Sequence, residues 1–123
     1  MTKPDGSPLQ KNVYTAGLIE PDGILVTIQV QILQPEKLQA YVEGHAPSLA
    51  QYGGRLIYIG GDQETVEGDL PVGDIIAIHA WSSRERFLEW YNSDEYRPWK
   101  EYRQNGVTKA TITLSAGFPL DQS

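Results

Sequence analysis

The chain has 123 residues, and its 16 acidic against 10 basic side chains give a formal charge of −6. That excess repels phosphate backbones and anionic lipid, so no nucleic-acid partner is expected. The absence of cysteine removes disulfides, thiolate metal sites and thiol nucleophiles, and is compatible with a cytoplasmic protein. The length suits one domain with an ordinary core, and no apolar run is long enough to span a membrane.

Residues 1–23 read as an N-terminal extension. Met1 to Lys11 is polar, as in a disordered tail or a cloning remnant, and Val13 to Ile19 is a candidate extra strand or arm. The turn signal Glu20-Pro21-Asp22-Gly23 ends it. Residues 24–117 then form the domain, and 118–123 a short tail. From Ile24 to Ile32 the pattern alternates strictly, with Ile24, Val26, Ile28, Val30 and Ile32 on one face and Leu25, Thr27, Gln29 and Gln31 on the other. Such a period of two predicts a strand with one apolar face.

Pro35 opens a helix, where its missing N–H costs nothing. The buried stripe of that helix is Leu38, Tyr41, Val42, His45, Leu49 and Tyr52, and Gly53-Gly54 stops it. Arg55 to Gly60 is a second strand, with a bulge expected at Gly60-Gly61 before Glu64 to Glu67 continues it. After a loop over 68–73, Asp74 to Trp81 is a third strand. Ser82 and Glu85 have capping-box spacing and start a second helix that runs to about Asn92. Ser93, with Asp94 and Glu95, looks like a further N-terminus, and Pro98 divides the segment into two short pieces. Thr108 to Ala116 closes the chain as a strand with Ala110, Ile112 and Leu114 on one side. No internal repeat or low-complexity segment occurs.

Strand, helix, strand, strand, helix, strand is the ferredoxin-like order: an α+β fold, βαββαβ, with an antiparallel sheet and two main helices on one face. The opposite face, rich in Thr and Gln, calls for a cover. A second copy packed sheet to sheet, giving a homodimer, is the expected one.

Three segments carry a family resemblance: Tyr52-Gly53-Gly54 after the first helix, Glu67-Gly68 before the third strand, and Trp90-Tyr91-Asn92-Ser93-Asp94-Glu95-Tyr96 after it. In this order and spacing, over about Ile24 to Gly117, the chain resembles the uncharacterised domain family numbered 1330, small members of the dimeric α+β barrel superfamily. The resemblance implies a dimeric barrel with a small-molecule pocket between sheet and helices. It implies no particular reaction, since related barrels include cofactor-independent monooxygenases, isomerases, cyclases and dehydratases.

Among candidate site residues, His45 lies on the buried stripe of the first helix just before Ala46-Pro47. There a carbonyl freed by the proline can fix its tautomer, leaving a neutral imidazole to take a proton from a bound substrate. The competing reading is a satisfied, half-buried histidine. His79 shares a strand face with Ile75, Ala77 and Trp81, and lines the same cavity if that face points at the helices. Two lone histidines without ligand spacing argue against a metal site.

Phe87 to Tyr102 holds six of the chain's twelve aromatic residues, set among charges. Tyr96 and Trp99, beyond the helix break, are the rings expected near a ligand, while Phe87 and Tyr91 belong to the core. Tyr41, Tyr58 and Trp81 are further candidate pocket residues. Arg97 is a candidate for a substrate carboxylate, with Arg103 beside it, although Glu95 and Glu101 offer both of them nearer partners.

The expectation is a homodimer that binds a small organic molecule, aromatic or polyketide-like, and carries out cofactor-free proton transfer of the cyclase, isomerase or dehydratase type. A non-catalytic ligand-binding or dimerisation module and a cofactor-independent monooxygenase are the alternatives.

Overall fold

In the computed structural model, which describes residues 22–117, the alternation in the sequence becomes a four-stranded sheet. Strands β1 (Ile24–Ile32), β2 (Arg55–Gly61), β3 (Ile75–Trp81) and β4 (Thr108–Ala116) lie in the order β2-β3-β1-β4. Every pairing is antiparallel, which is the expected ferredoxin-like α+β topology. The arm expected at residues 13–19 and the C-terminal tail lie outside the described residues.

Along β1 the even-numbered residues turn inward. Val26 is fully buried and Ile24 is nearly so, and each such aliphatic side chain contributes roughly 1.5–3 kcal/mol when taken out of water. They pack with Leu49, Trp81, Phe87, Trp90 and Tyr96 in one core. Helices α1 (Pro35–Gln51), α2 (Arg84–Tyr91) and α3 (Arg97–Tyr102) supply its other side, so all three serve the same sheet face. The odd-numbered residues of β4, namely Lys109, Thr111, Thr113 and Ser115, are exposed on the opposite face.

The Tyr52-Gly53-Gly54 motif has a separate cause for each glycine. Gly53 has a positive φ of 87°, its N–H bonds to the Ala50 carbonyl, and the Gly54 N–H bonds to the Leu49 carbonyl. This is a Schellman stop, which needs a left-handed residue. At Gly54 a Cβ would come within 2.5 Å of the Trp81 ring. The second glycine is therefore a gap that Trp81 fills.

Several local expectations need correction. The bulge in β2 falls between Leu56 and Tyr58, while Gly60 and Gly61 pair regularly with Ile76 and Ile75. Gly60 instead makes room for the Tyr58 ring, whose hydroxyl a Cβ there would strike. Residues 64–67 do not continue the strand. The chain turns at Asp62, which has a positive φ, and the Gln63 amide is held by Gln29 and by the Gly73 carbonyl, with its Nε2 at 2.8 and 3.0 Å from the two oxygens. The cap of α2 is Ser83, whose hydroxyl accepts from the Arg86 N–H at 3.0 Å, with Ser82 one residue too early. The expected break before α3 is present. Ser93 accepts from the Tyr96 N–H, Asn92 donates to the Leu88 carbonyl at the end of α2, and Pro98 sits in the first turn of α3.

Among the described residues no helix is long and apolar enough to cross a membrane, and no group of three or more His, Cys, Asp or Glu side chains is placed to hold a metal ion.

Candidate functional site

Between the inward sheet face and the helices lies a cavity of about 110 Å³. Its floor comes from Ile28, Val30, Ala77 and Ile112, and its roof from Tyr41, His45, Phe87, Trp90 and Tyr96; His79 and Arg103 also line it. Leu56, Ile59 and Val42 also line it and are all at least 42% exposed, so the cavity opens beside β2. A mostly apolar wall with a few polar groups is the usual make-up of a small-molecule site, and the volume suits a single small ring.

Strand register places His79. It pairs with Val26 on β1 and with Leu56 on β2, so its imidazole projects from the centre of the sheet toward the helices, where it is 5% exposed. Burial, and secondarily a charge on His45, pushes its pKa down to about 4. His79 is therefore neutral at pH 7, and its Nδ1 has no hydrogen-bond partner.

His45 is set by helix geometry. Its Nδ1 lies 2.9 Å from the Tyr41 carbonyl, and since a carbonyl only accepts, Nδ1 carries the proton and Nε2 keeps the lone pair. The carbonyl involved is four residues back in a helix that continues through Pro47. It is not the Glu43 carbonyl that the proline frees. Burial holds the His45 pKa below its usual value, against the pull of the backbone carbonyls. The ring stacks on Tyr41 with centroids 4.4 Å apart. Ser48, one turn on, accepts from the Trp90 indole at 2.9 Å and donates to the His45 carbonyl, tying α2 to α1 above the cavity.

Tyr96 joins these groups. It is 1% exposed, stacks on Trp90 at 3.9 Å, and its hydroxyl lies 2.7 Å from that of Tyr41. The Arg103 Nε–H donates to the same Tyr96 oxygen at 3.2 Å. Burial, reinforced by Tyr96, raises the Tyr41 pKa well above the usual phenol range, so Tyr41 is present as a neutral phenol.

The structure thus brings His45, His79, Tyr41 and Tyr96 to one cavity and leaves four other expected residues off it. Tyr58 pairs with Ile78, whose side chain faces away from His79, and is 54% exposed on the open face of the sheet. Trp81 has the expected phase but lies beyond the cavity, closed in by Phe87 and Trp90 at 5.5 and 5.4 Å. Trp99 packs across Gly44 of α1, where no Cβ would fit, and against Tyr102. Arg97 is on the surface, paired with Asp94. The cavity's arginine is Arg103, 7% exposed; it lies seven residues after Tyr96, two helical turns along the same face, and that spacing was its sequence signal.

Comparison with known proteins agrees with this architecture. The chain is similar in fold to the RPA0582 protein of unknown function from Rhodopseudomonas palustris, at 20% identity over 93% of this chain and 96% of that one, with a TM-score of 0.66. It is also similar to SnoaB, a cofactor-independent oxygenase from Streptomyces nogalater, at 13% identity over 82% and 99% of the two chains and a TM-score of 0.58. A dimeric ferredoxin-like protein of unknown function from Thermobifida fusca shares 11% identity over 88% and 99%, with a TM-score of 0.50. At these identities the likeness concerns the fold. No curated protein gives a significant match. Residues 24–118 match the family described as a domain of unknown function, DUF1330, and the chain belongs to that family.

Proposed function

We propose that the protein binds a small ring compound in the cavity between sheet and helices and moves a proton on it without a cofactor, with His45 as the base. One observation carries this reading. Among the described residues four buried side-chain nitrogen or oxygen atoms lack a hydrogen-bond partner, and three of them, His79 Nδ1, Arg103 Nη2 and Thr108 Oγ1, belong to residues that line this cavity. Buried polar groups are nearly always paired, and leaving each one unpaired costs roughly 1–3 kcal/mol. A ligand that supplies the partners accounts for their concentration here.

His45 is the better base of the two histidines. Its proton is pinned on Nδ1, so the Nε2 lone pair is free, and burial keeps the ring neutral. The proton of a weakly acidic C–H or O–H passes to Nε2, and the bonding pair stays on the substrate as an enolate or phenolate. A general base in such a position supplies roughly 10²–10⁴-fold in rate. Deuterium exchange at the α-carbon of cyclohexanone in D2O tests this. The protein should accelerate exchange over buffer, and His45→Ala should lose the acceleration by about a hundredfold or more; full retention would remove His45 as the base.

Oxygenation of a bound phenolate or enolate is a second reading, which the aromatic cavity and the fold shared with a cofactor-independent oxygenase both favour. It differs by an uptake of oxygen that accompanies turnover, and simple proton transfer consumes none.

The reading includes a homodimer and a cytoplasmic setting. The open sheet face carries Thr27, Gln29, Thr111 and Thr113 around the half-buried Ile76 and Ile78, with Tyr58 at its edge. A second copy of that face is its natural complement, since two sheets pack face to face about 10 Å apart. Light scattering at micromolar concentration should give twice the mass of the chain. A monodisperse monomer would contradict the dimer.

A further inference from the structure

We infer that the ligand carries a negatively charged oxygen, a carboxylate, phenolate or enolate on a small planar ring, and that Arg103 is the residue that binds it. This rests on the pocket reading above and names the chemistry that pocket selects.

The charge balance of the cavity is the first ground. Arg103 is 7% exposed, and among the described residues no carboxylate lies within ion-pair distance of it. Among the described residues the acidic chain has left the cavity-lining Arg103 without a carboxylate. Burying an uncompensated charge is costly even after the surroundings relax. The phenol oxygens of Tyr96 and Tyr41 face the guanidinium and outweigh its burial, so it stays charged. No carboxylate joins them within ion-pair distance among the described residues.

Counting donors supplies the second ground. Arg103 spends Nε on Tyr96, while Nη2 is buried without an acceptor. Tyr41 and Tyr96 bring two hydroxyl protons to their corner, and the 2.7 Å bond between them uses one. Whichever hydroxyl donates in that bond, the other keeps a proton for which no acceptor is present among the described residues. The corner therefore offers the Nη2 N–H donors and a hydroxyl proton, with no acceptor for either among the described residues. A neutral amide or alcohol can accept here as well, but it brings no charge to set against the guanidinium. An anionic oxygen has only lone pairs and takes both, through charge-assisted hydrogen bonds that are roughly twice as strong as neutral ones.

The two halves of the site then have complementary tasks. The His45 Nε2 removes a proton, and Arg103 with the tyrosine pair holds the charge that appears on oxygen. Electrostatic stabilisation of this kind comes from donors fixed before the reaction begins. The tethers on this corner fix it: Tyr96 is held by its stack on Trp90, and its backbone N–H is held by the Ser93 hydroxyl at 3.1 Å.

Titration calorimetry with benzoate, benzamide and benzylammonium at pH 7 tests the assignment on the unmodified protein, because the three probes share a ring and differ in charge. Benzoate should bind at least about tenfold more tightly than benzamide, equivalent to about 1.4 kcal/mol, and benzylammonium should not bind. In Arg103→Met the preference for benzoate over benzamide should fall to within about twofold, and Arg103→Lys, which keeps the charge but not the planar guanidinium, should restore part of it. Equal binding of benzoate and benzamide by the wild-type protein overturns the inference and leaves the pocket standing. A tenfold preference that persists in Arg103→Met removes Arg103 as its source. If none of the three probes binds, the pocket reading falls with it. The wild-type comparison needs no variant, so the inference stays open to refutation even where Arg103→Met does not fold.

Discussion

Tyr96→Ala is expected to lower the free energy of unfolding by about 3–5 kcal/mol, the range for deleting a large aromatic from a core. Urea unfolding at pH 7 measures it directly. Tyr96 is 1% exposed, and its ring is stacked on Trp90 between His45 at 6.3 Å and Tyr91 at 6.1 Å. Its removal opens a void where α1, α2 and α3 meet over the sheet, and these neighbours are themselves tied down. Tyr96→Phe keeps the ring and removes one oxygen. It should cost about 1–3 kcal/mol, because Tyr41 loses its partner and the Arg103 Nε loses its acceptor. The pair of variants separates packing from hydrogen bonding. A Tyr96→Ala protein within 1 kcal/mol of wild type would mean that the ring is not the keystone of this packing.

Tyr96 was legible in the sequence for a physical reason. Ser93 interrupts the second helix with a capping residue, and Pro98 restarts it, so the segment between must be a tight turn whose single tyrosine either points inward or is wasted on solvent. His79 was legible up to a sign. The period of two put it on one face with Ile75, Ala77 and Trp81, and only the pairing with Val26 settled that this face meets the helices. Tyr58 could not be read in the same way. Counted by twos from Leu56 it belongs to the cavity face, but the register shift between Leu56 and Tyr58 inserts one residue and turns it to the other side.

The two arginines show a different limit. Arg97 and Arg103 both lie near carboxylates along the chain, and proximity in sequence favoured neither. The fold decides between them. Arg97 opens α3 on the surface, three residues from Asp94. Arg103 begins a wide final turn, Arg103–Val107, in which Gly106 has a φ of 89°, and it faces back along α3 toward the Tyr96 hydroxyl. The Trp99 contact was hidden for a related reason. Gly44 lies on α1 in the sequence as an unremarked helical glycine, and its purpose appears only when α3 is laid across it. Contacts between segments some fifty residues apart leave little trace in local periodicity, which reports which face is apolar and not what covers it.

Stability is expected to fall steeply on the acid side because of His79. The unfolded chain binds a proton there with a pKa near 6.5, and the folded protein does so only at about 4. Between those values the unfolded state holds more protons, so acid favours unfolding. The contribution of neutral, buried His79 is complete above about pH 6.5 and is lost as the pH falls to about 4. The total is about 3 kcal/mol, from roughly 1.4 kcal/mol per unit of pKa difference. His45, whose pKa is also lowered by burial, adds in the same direction. Carboxylates contribute to the acid limb of any protein, so the informative quantity is a difference: urea unfolding at pH 7, 5.5 and 4 for wild type and for His79→Gln. Between pH 7 and 4 the wild-type stability should fall by about 3 kcal/mol more than that of the variant, since glutamine has nothing to titrate. Parallel curves would mean that His79 takes up its proton in the folded protein as readily as in the unfolded one, and then the cavity is wet. The same burial that makes these histidines costly in acid keeps them unprotonated at neutral pH, where a base must be empty to act. An exchange activity that depends on His45 should accordingly persist to below pH 6.5, the usual histidine midpoint, and disappear over the range in which the fold itself begins to weaken.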